Sequence, residues 1–244
     1  MMKKYGFTSL MVALLVCVLA LPTVASDFSQ PQIMLYPYQT SVVLQDDFVA
    51  GFPAAAAVGD LGWTFSGGTV ATLAPEASRP GIIRRDTSTT ISTVASFQLN
   101  NASRNMLSSE TYSFVYISRL NTNDANTQVR IGIQGSSNGN PDASGVYLEK
   151  LDADTNWFCV TRSAAAQTRT DSGVAISTSF FSMAVTKNSS GVQFSLNGAN
   201  VCSLISTNVP TDAVLPVVQI VNSAAFSKTI DIDYFQLIIT GLVR

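Results

Sequence analysis

The stretch Val192-Gln193-Phe194-Ser195-Leu196-Asn197-Gly198, with the apolar run that returns over 201–205, decides how this chain is built. Val192, Phe194 and Leu196 alternate with Gln193, Ser195 and Asn197, which places the apolar members on one face of an extended strand. Asn197-Gly198 supplies two residues that tolerate positive φ, so the two runs read as a tight hairpin with Cys202 on the returning strand. The same period of two recurs at Val129, Ile131 and Ile133, which alternate with Gln128, Arg130 and Gln134.

Further strands are expected over 63–66, 81–84, 90–99, 112–120, 146–151, 157–162, 180–186, 215–221 and 229–240. Past residue 26 no segment carries a helical stripe, and the alanine run 54–57 has room for one helical turn. Roughly a dozen short strands with polar turns indicate an all-β protein, an antiparallel two-sheet β-sandwich or jelly roll over residues 45–244. Residues 27–44, with Pro31 and Pro37, read as a lead-in segment or an edge strand.

The first 26 residues have the organisation of an export signal. Lys3 and Lys4 form a positive start, residues 10–21 are apolar, and Pro22-Thr23-Val24-Ala25-Ser26 offers small residues for cleavage. Twelve apolar residues are too few to cross a hydrocarbon layer of about 30 Å, so no stable membrane insertion is expected after cleavage. The expected location is secreted, periplasmic or at the cell surface. Cleavage leaves about 218 residues without a composition break, enough for one large core. It also removes two of the 14 basic residues and none of the 16 acidic ones, for a net charge of −4. An acidic surface of this kind does not attract nucleic acid.

The chain contains no histidine, which excludes serine–histidine and cysteine–histidine hydrolysis and leaves no zinc-ligand set. A serine activated by Lys150, Lys187 or Lys228 has nothing around it to recommend it. Cys159 and Cys202 remain after cleavage, an even pair in an oxidising compartment, and read either as a disulfide or as two buried thiols.

Asp46-Asp47-Phe48 and Thr229-Ile230-Asp231-Ile232-Asp233-Tyr234-Phe235-Gln236-Leu237 resemble the first and last strands of concanavalin A-like lectin/glucanase sandwiches. The stretches 145–151, 154–158 and 218–223 are also similar to uncharacterised jelly-roll proteins of tailed phages and environmental viruses, of tail-fibre or particle type. The resemblance covers about residues 45–244 and implies that the two ends of the domain lie side by side. It implies lectins, glycosidases, adhesion modules and particle proteins as the range of functions.

Glycoside hydrolysis needs two carboxylates facing one sugar across about 5 to 10 Å. Glu149 and Asp152 are three apart and fall on opposite faces of a regular strand, while Asp231 and Asp233 share a face of a terminal strand. No catalytic residue is assigned. If first and last strands pair, Asp46, Asp47, Asp231 and Asp233 can converge on a structural calcium, their alternative being solvated strand ends. Trp157, Tyr147 and Asn156, with Asp152 and Asp154 beside them, form the nearest cluster of the aromatic, amide and carboxylate groups that hold sugars. Trp63 is a second platform candidate, but Trp157 alternates with Cys159 in an apolar strand and Trp63 follows Leu61-Gly62, which favours the core for both. The expected function is non-catalytic binding of a polysaccharide or surface glycan. The alternatives are self-assembly through copies of the chain and an atypical glycoside hydrolase.

Overall fold

The computed structural model describes residues 41–49, 59–73, 76, 78–99, 110–135 and 142–241. The export signal and most of the lead-in lie outside them. Fifteen strands form among the described residues: β1 Ser41–Asp46, β2 Trp63–Ser66, β3 Thr69–Leu73, β4 Ile82–Asp86, β5 Val94–Leu99, β6 Thr111–Leu120, β7 Thr127–Gln134, β8 Gly145–Lys150, β9 Asn156–Ser163, β10 Ala166–Ala175, β11 Phe181–Asn188, β12 Gly191–Leu196, β13 Ala199–Ile205, β14 Leu215–Asn222 and β15 Thr229–Thr240. All pair antiparallel, in two sheets that form a sandwich of jelly-roll type.

One sheet has eight strands in the order β13-β12-β11-β6-β15-β4-β3, with β1 also on β15. The other has seven, in the order β10-β9-β8-β7-β14-β5-β2. Alternation produces this arrangement directly: Phe114, Tyr116, Val185, Phe194 and Leu237 from the first sheet face Ile131, Leu148, Phe97 and Ile220 from the second. Trp63 is in that core, stacked on Phe97 with ring centroids 4.6 Å apart and edge-on to Phe235 at 4.9 Å. Tyr116 spans the sandwich and donates its hydroxyl to the Gly132 carbonyl at 3.0 Å.

The hairpin at Asn197-Gly198 forms with φ of 49° and 79°, and Leu196 pairs with Ala199 across it. β1 begins at Ser41, so the last four residues expected as lead-in belong to the sandwich. The two ends of the domain do lie side by side, since β1 pairs with β15 from Ser41 opposite Thr240 to Asp46 opposite Phe235. β15 pairs with β4 over its first residues and with β1 over its last, and its register against β6 shifts between Ile232 and Tyr234. That bulge moves the inward face from Ile230 and Ile232 to Phe235 and Leu237. β3 and β10 were not expected. β10 carries no buried residue, so no apolar alternation marks it in the sequence.

Candidate functional site

The expected sugar-binding cluster at 147–157 does not assemble, because its members alternate between faces and loops. Trp157 points between the sheets, 2 % exposed, with its ring 5.0 Å from Phe181; it is a core residue and no platform. Trp63 is likewise interior. Tyr147 points away from the core. Asn156 donates to both carboxylate oxygens of Asp171, and Asp154 accepts from the Leu151 amide and the Arg169 guanidinium. Asp152 stands in the loop after β8, exposed, and accepts from Ser223 Oγ at 2.7 Å and Gln128 Nε2 at 2.8 Å. Beside these acids the Lys150 ammonium is buried among the carbonyls of Asp124, Thr127 and Leu151. Burial lowers its pKa, and the charges of Asp154, Asp124 and Asp152 oppose that shift.

The outer face of the seven-stranded sheet gathers groups that the sequence leaves scattered. Cross-strand register aligns Phe158, Glu149, Arg130, Gln219 and Ser96 in one lateral row. Arg130 Nε is 3.0 Å from Glu149 Oε1, and its Nη1 donates to Gln219 Oε1 at 3.0 Å. Arg169 from β10 takes the other Glu149 oxygen at 2.7 Å while its guanidinium lies 3.4 Å over the Phe158 ring. Glu149 is the one carboxylate in the sequences of β2, β5, β7, β8, β9 and β14.

Two rows further along β8, Gln134, Gly145 and Arg162 are cross-strand neighbours. A Cβ on Gly145 would stand 2.9 Å from Cδ1 and Cε1 of Tyr147, so the absence of a side chain there lets the ring rest against the strand. Burial pushes the Tyr147 hydroxyl up to about 12; the Glu149 charge adds to the rise, and Arg130 and Arg162 oppose it. Among the described residues, both amide atoms of Gln134 and Arg162 Nε are buried without a hydrogen-bond partner, while the Tyr147 hydroxyl stands against the Arg130 guanidinium. Arg162 Nη1 donates to Gln167 at 2.7 Å.

Of the four acids expected to share a cation, Asp231 and Asp233 are taken by arginines. Asp231 is fully buried between two arginines, 2.7 Å from Arg84 Nε and 2.7 Å from Arg119 Nη2. Burial acts to raise its pKa, yet the hydrogen bonds from Arg84 and Arg119 prevail and hold it below the usual carboxylate range. Asp233 pairs with Arg79, and Arg79 and Arg119 both stack on Phe180. Asp46 and Asp47 are joined instead by Asp60, with one oxygen of each acid lying within 4.8 Å of the others. Asp60 was missed because nothing in its spacing ties the turn 59–62 to β1. Asp46 accepts from the amides of Phe48 at 2.9 Å and Leu61 at 3.0 Å, which brings that turn to the strand end. Gly59, at φ 73°, leaves room for the Asp46 carboxylate, where a Cβ would come within 2.3 Å. Burial raises Asp46 against those amides, and burial followed by the Asp47 charge raises Asp60. Among the described residues no lysine or arginine pairs with the three, so their oxygens are a donor set suited to a hard divalent cation.

Cys159 on β9 and Cys202 on β13 are bonded, S–S 2.12 Å and Cα–Cα 6.6 Å. Their strands belong to different sheets, so the bridge ties the sandwich together at one side.

Solved structures confirm the architecture. A protein of unknown function, SO2946 from Shewanella oneidensis MR-1, superposes with TM-score 0.62 at 15% identity and covers 99% of each chain. A β-1,3-1,4-glucanase (lichenase) derived from a mouse hindgut metagenome gives TM-score 0.56 at 11% identity, over 80% of this chain and 98% of that one. The β-glucanase of Bacillus licheniformis gives 0.54 at 10%, over 82% and 98%. No curated protein matches the sequence. The family model described as SO2946-like, C-terminal domain, matches residues 78–233, which span β4 to the first part of β15, and the chain belongs to that family.

Proposed function

We propose that this chain is an exported module that binds a glycan on the outer face of its seven-stranded sheet without covalent chemistry. The observation that carries this reading is the make-up of that face, where the partly exposed Phe158, Arg162, Gln167 and Arg169 stand over a buried carboxylate held by two arginines. Amides and guanidinium groups match the hydroxyls of a sugar, and an aromatic ring matches its apolar face. Hydrolysis would need a second carboxylate across the cleft, and none is supplied by the central strands. The glucanase folds among the structural neighbours support carbohydrate as the ligand class. The Cys159–Cys202 bridge supports an oxidising compartment, in keeping with the export signal of the first 26 residues. A structural calcium, where bound, would be held by Asp46, Asp47 and Asp60 and would neutralise their mutual repulsion.

The test is binding of the secreted protein to a panel of soluble and insoluble polysaccharides, with released reducing sugar and solution mass measured alongside. Saturable binding by a monomer with no sugar released is the expected result. A high-mass assembly that binds no glycan would replace this reading with self-association between copies. Sugar release that Glu149→Gln abolishes would make the protein a glycosidase.

A further inference from the structure

On the outer face of the seven-stranded sheet, Gln134, Tyr147 and Arg162 occupy neighbouring positions on β7, β8 and β9. Gln134 and Tyr147 are fully buried, and among the described residues neither amide atom of Gln134 nor Arg162 Nε has a partner. Each such atom costs about 1–3 kcal/mol in lost hydration, so a cluster of them beside a partly exposed arginine is a candidate ligand position. Arg162, with Gln167 and Arg169, forms a partly exposed rim beside this floor.

Charge decides what that ligand is. The other arginines of the face are matched, Arg130 by Glu149 and Arg169 by Glu149 and Asp154. Among the described residues no carboxylate pairs with Arg162, whose one hydrogen bond goes to the neutral Gln167. Fifteen of the 16 acids lie within the described residues, Asp27 being the exception. A guanidinium with an unused Nε, beside an unpaired amide and the Tyr147 hydroxyl, is a donor set for an anion.

We propose that Gln134, Tyr147 and Arg162 form a subsite for the anionic substituent of an acidic polysaccharide, a carboxylate or a sulfate. The proposal rests on the glycan reading of the same face. The chain as a whole is acidic, with a sequence pI of about 5.0, so it repels polyanions in general and captures one only through a local cationic site.

The experiment measures binding of the secreted protein to polygalacturonate, a sulfated galactan and a neutral β-glucan, at low and at moderate salt. The variants are Arg162→Gln and Gln134→Glu, each checked for a native melting transition. Affinity for at least one of the two acidic polymers is expected to exceed that for the neutral glucan by tenfold or more. Which polymer it is identifies the anion. Arg162→Gln should remove most of that preference, and so should Gln134→Glu, which sets a like charge at the subsite. Neutral glucan bound as tightly as both acidic polymers overturns this proposal and leaves the glycan face standing. An acidic preference unchanged in both folded variants also overturns it, because the anion is then held elsewhere. Failure to bind any of the three polymers overturns the subsite together with the glycan reading.

Discussion

Arg130 and Glu149 stand directly opposite each other on β7 and β8, their Nε and Oε1 atoms 3.0 Å apart and their side chains 2% and 1% exposed. With Arg169 on its other oxygen, the face's central carboxylate is an acceptor shared by two arginines.

Glu149→Gln leaves Arg130 and half of the Arg169 contact without a counter-charge. A cost of about 3–5 kcal/mol is expected from breaking a buried pair, whereas the double change Arg130→Met with Glu149→Leu should cost less than that single change. Denaturant unfolding of the three variants measures both. A single change no more costly than the double one would mean that the pair contributes nothing specific.

The Cys159–Cys202 bridge closes a loop of 43 residues between the two sheets. Replacing both cysteines by alanine is expected to cost about 2–4 kcal/mol, read as a lowered melting temperature that reductant does not lower further. A native protein whose melting is indifferent to reductant would show that the bridge does not form in solution.

Asp231 has its pKa depressed in the folded state by Arg84 and Arg119. Such a group contributes stability above its unfolded pKa of about 3.9, and that contribution is lost as pH falls through the folded value. The melting temperature should therefore drop on acidification below about pH 4, and Asp231→Asn should flatten that drop while lowering stability at neutral pH. An identical acid limb in the variant would assign the drop to other carboxylates.

Asp46 and Asp60 have the opposite sign, since both are raised. Their favourable contribution is present below a pH of about 3.9 and is lost as pH rises through their folded values, where three neighbouring charges repel. Calcium bound by Asp46, Asp47 and Asp60 would cancel that repulsion. Millimolar calcium is expected to raise the melting temperature at pH 7, with chelator reversing the rise and Asp60→Asn abolishing it. No change with calcium in the native chain would remove the metal from these acids.

Alternation alone made the sandwich legible: Val192, Phe194 and Leu196 on one face, and Asn197-Gly198 as the turn, needed no tertiary information. The same logic failed at β10, where Gln167, Arg169 and Asp171 alternate with threonines and no apolar residue, and the strand is held by pairing with β9. It also failed where apolar and polar residues adjoin. Trp157 and Tyr147 are ten apart in sequence, yet one fills the core and the other lies on the outer face.

By itself the sequence determined the fold class, because a period of two and positive-φ turns are local properties of the chain. It also determined which chemistries are closed for want of histidine. Only the tertiary structure decided which charged groups meet. Asp60 joins Asp46 through the Leu61 amide, Asp231 goes to arginines 112 and 147 residues away, and Gln134, Tyr147 and Arg162 come together through strand register. The reason is physical. Strand formation depends on neighbours two residues apart, while a site depends on pairing partners that only closure of both sheets brings within hydrogen-bonding reach.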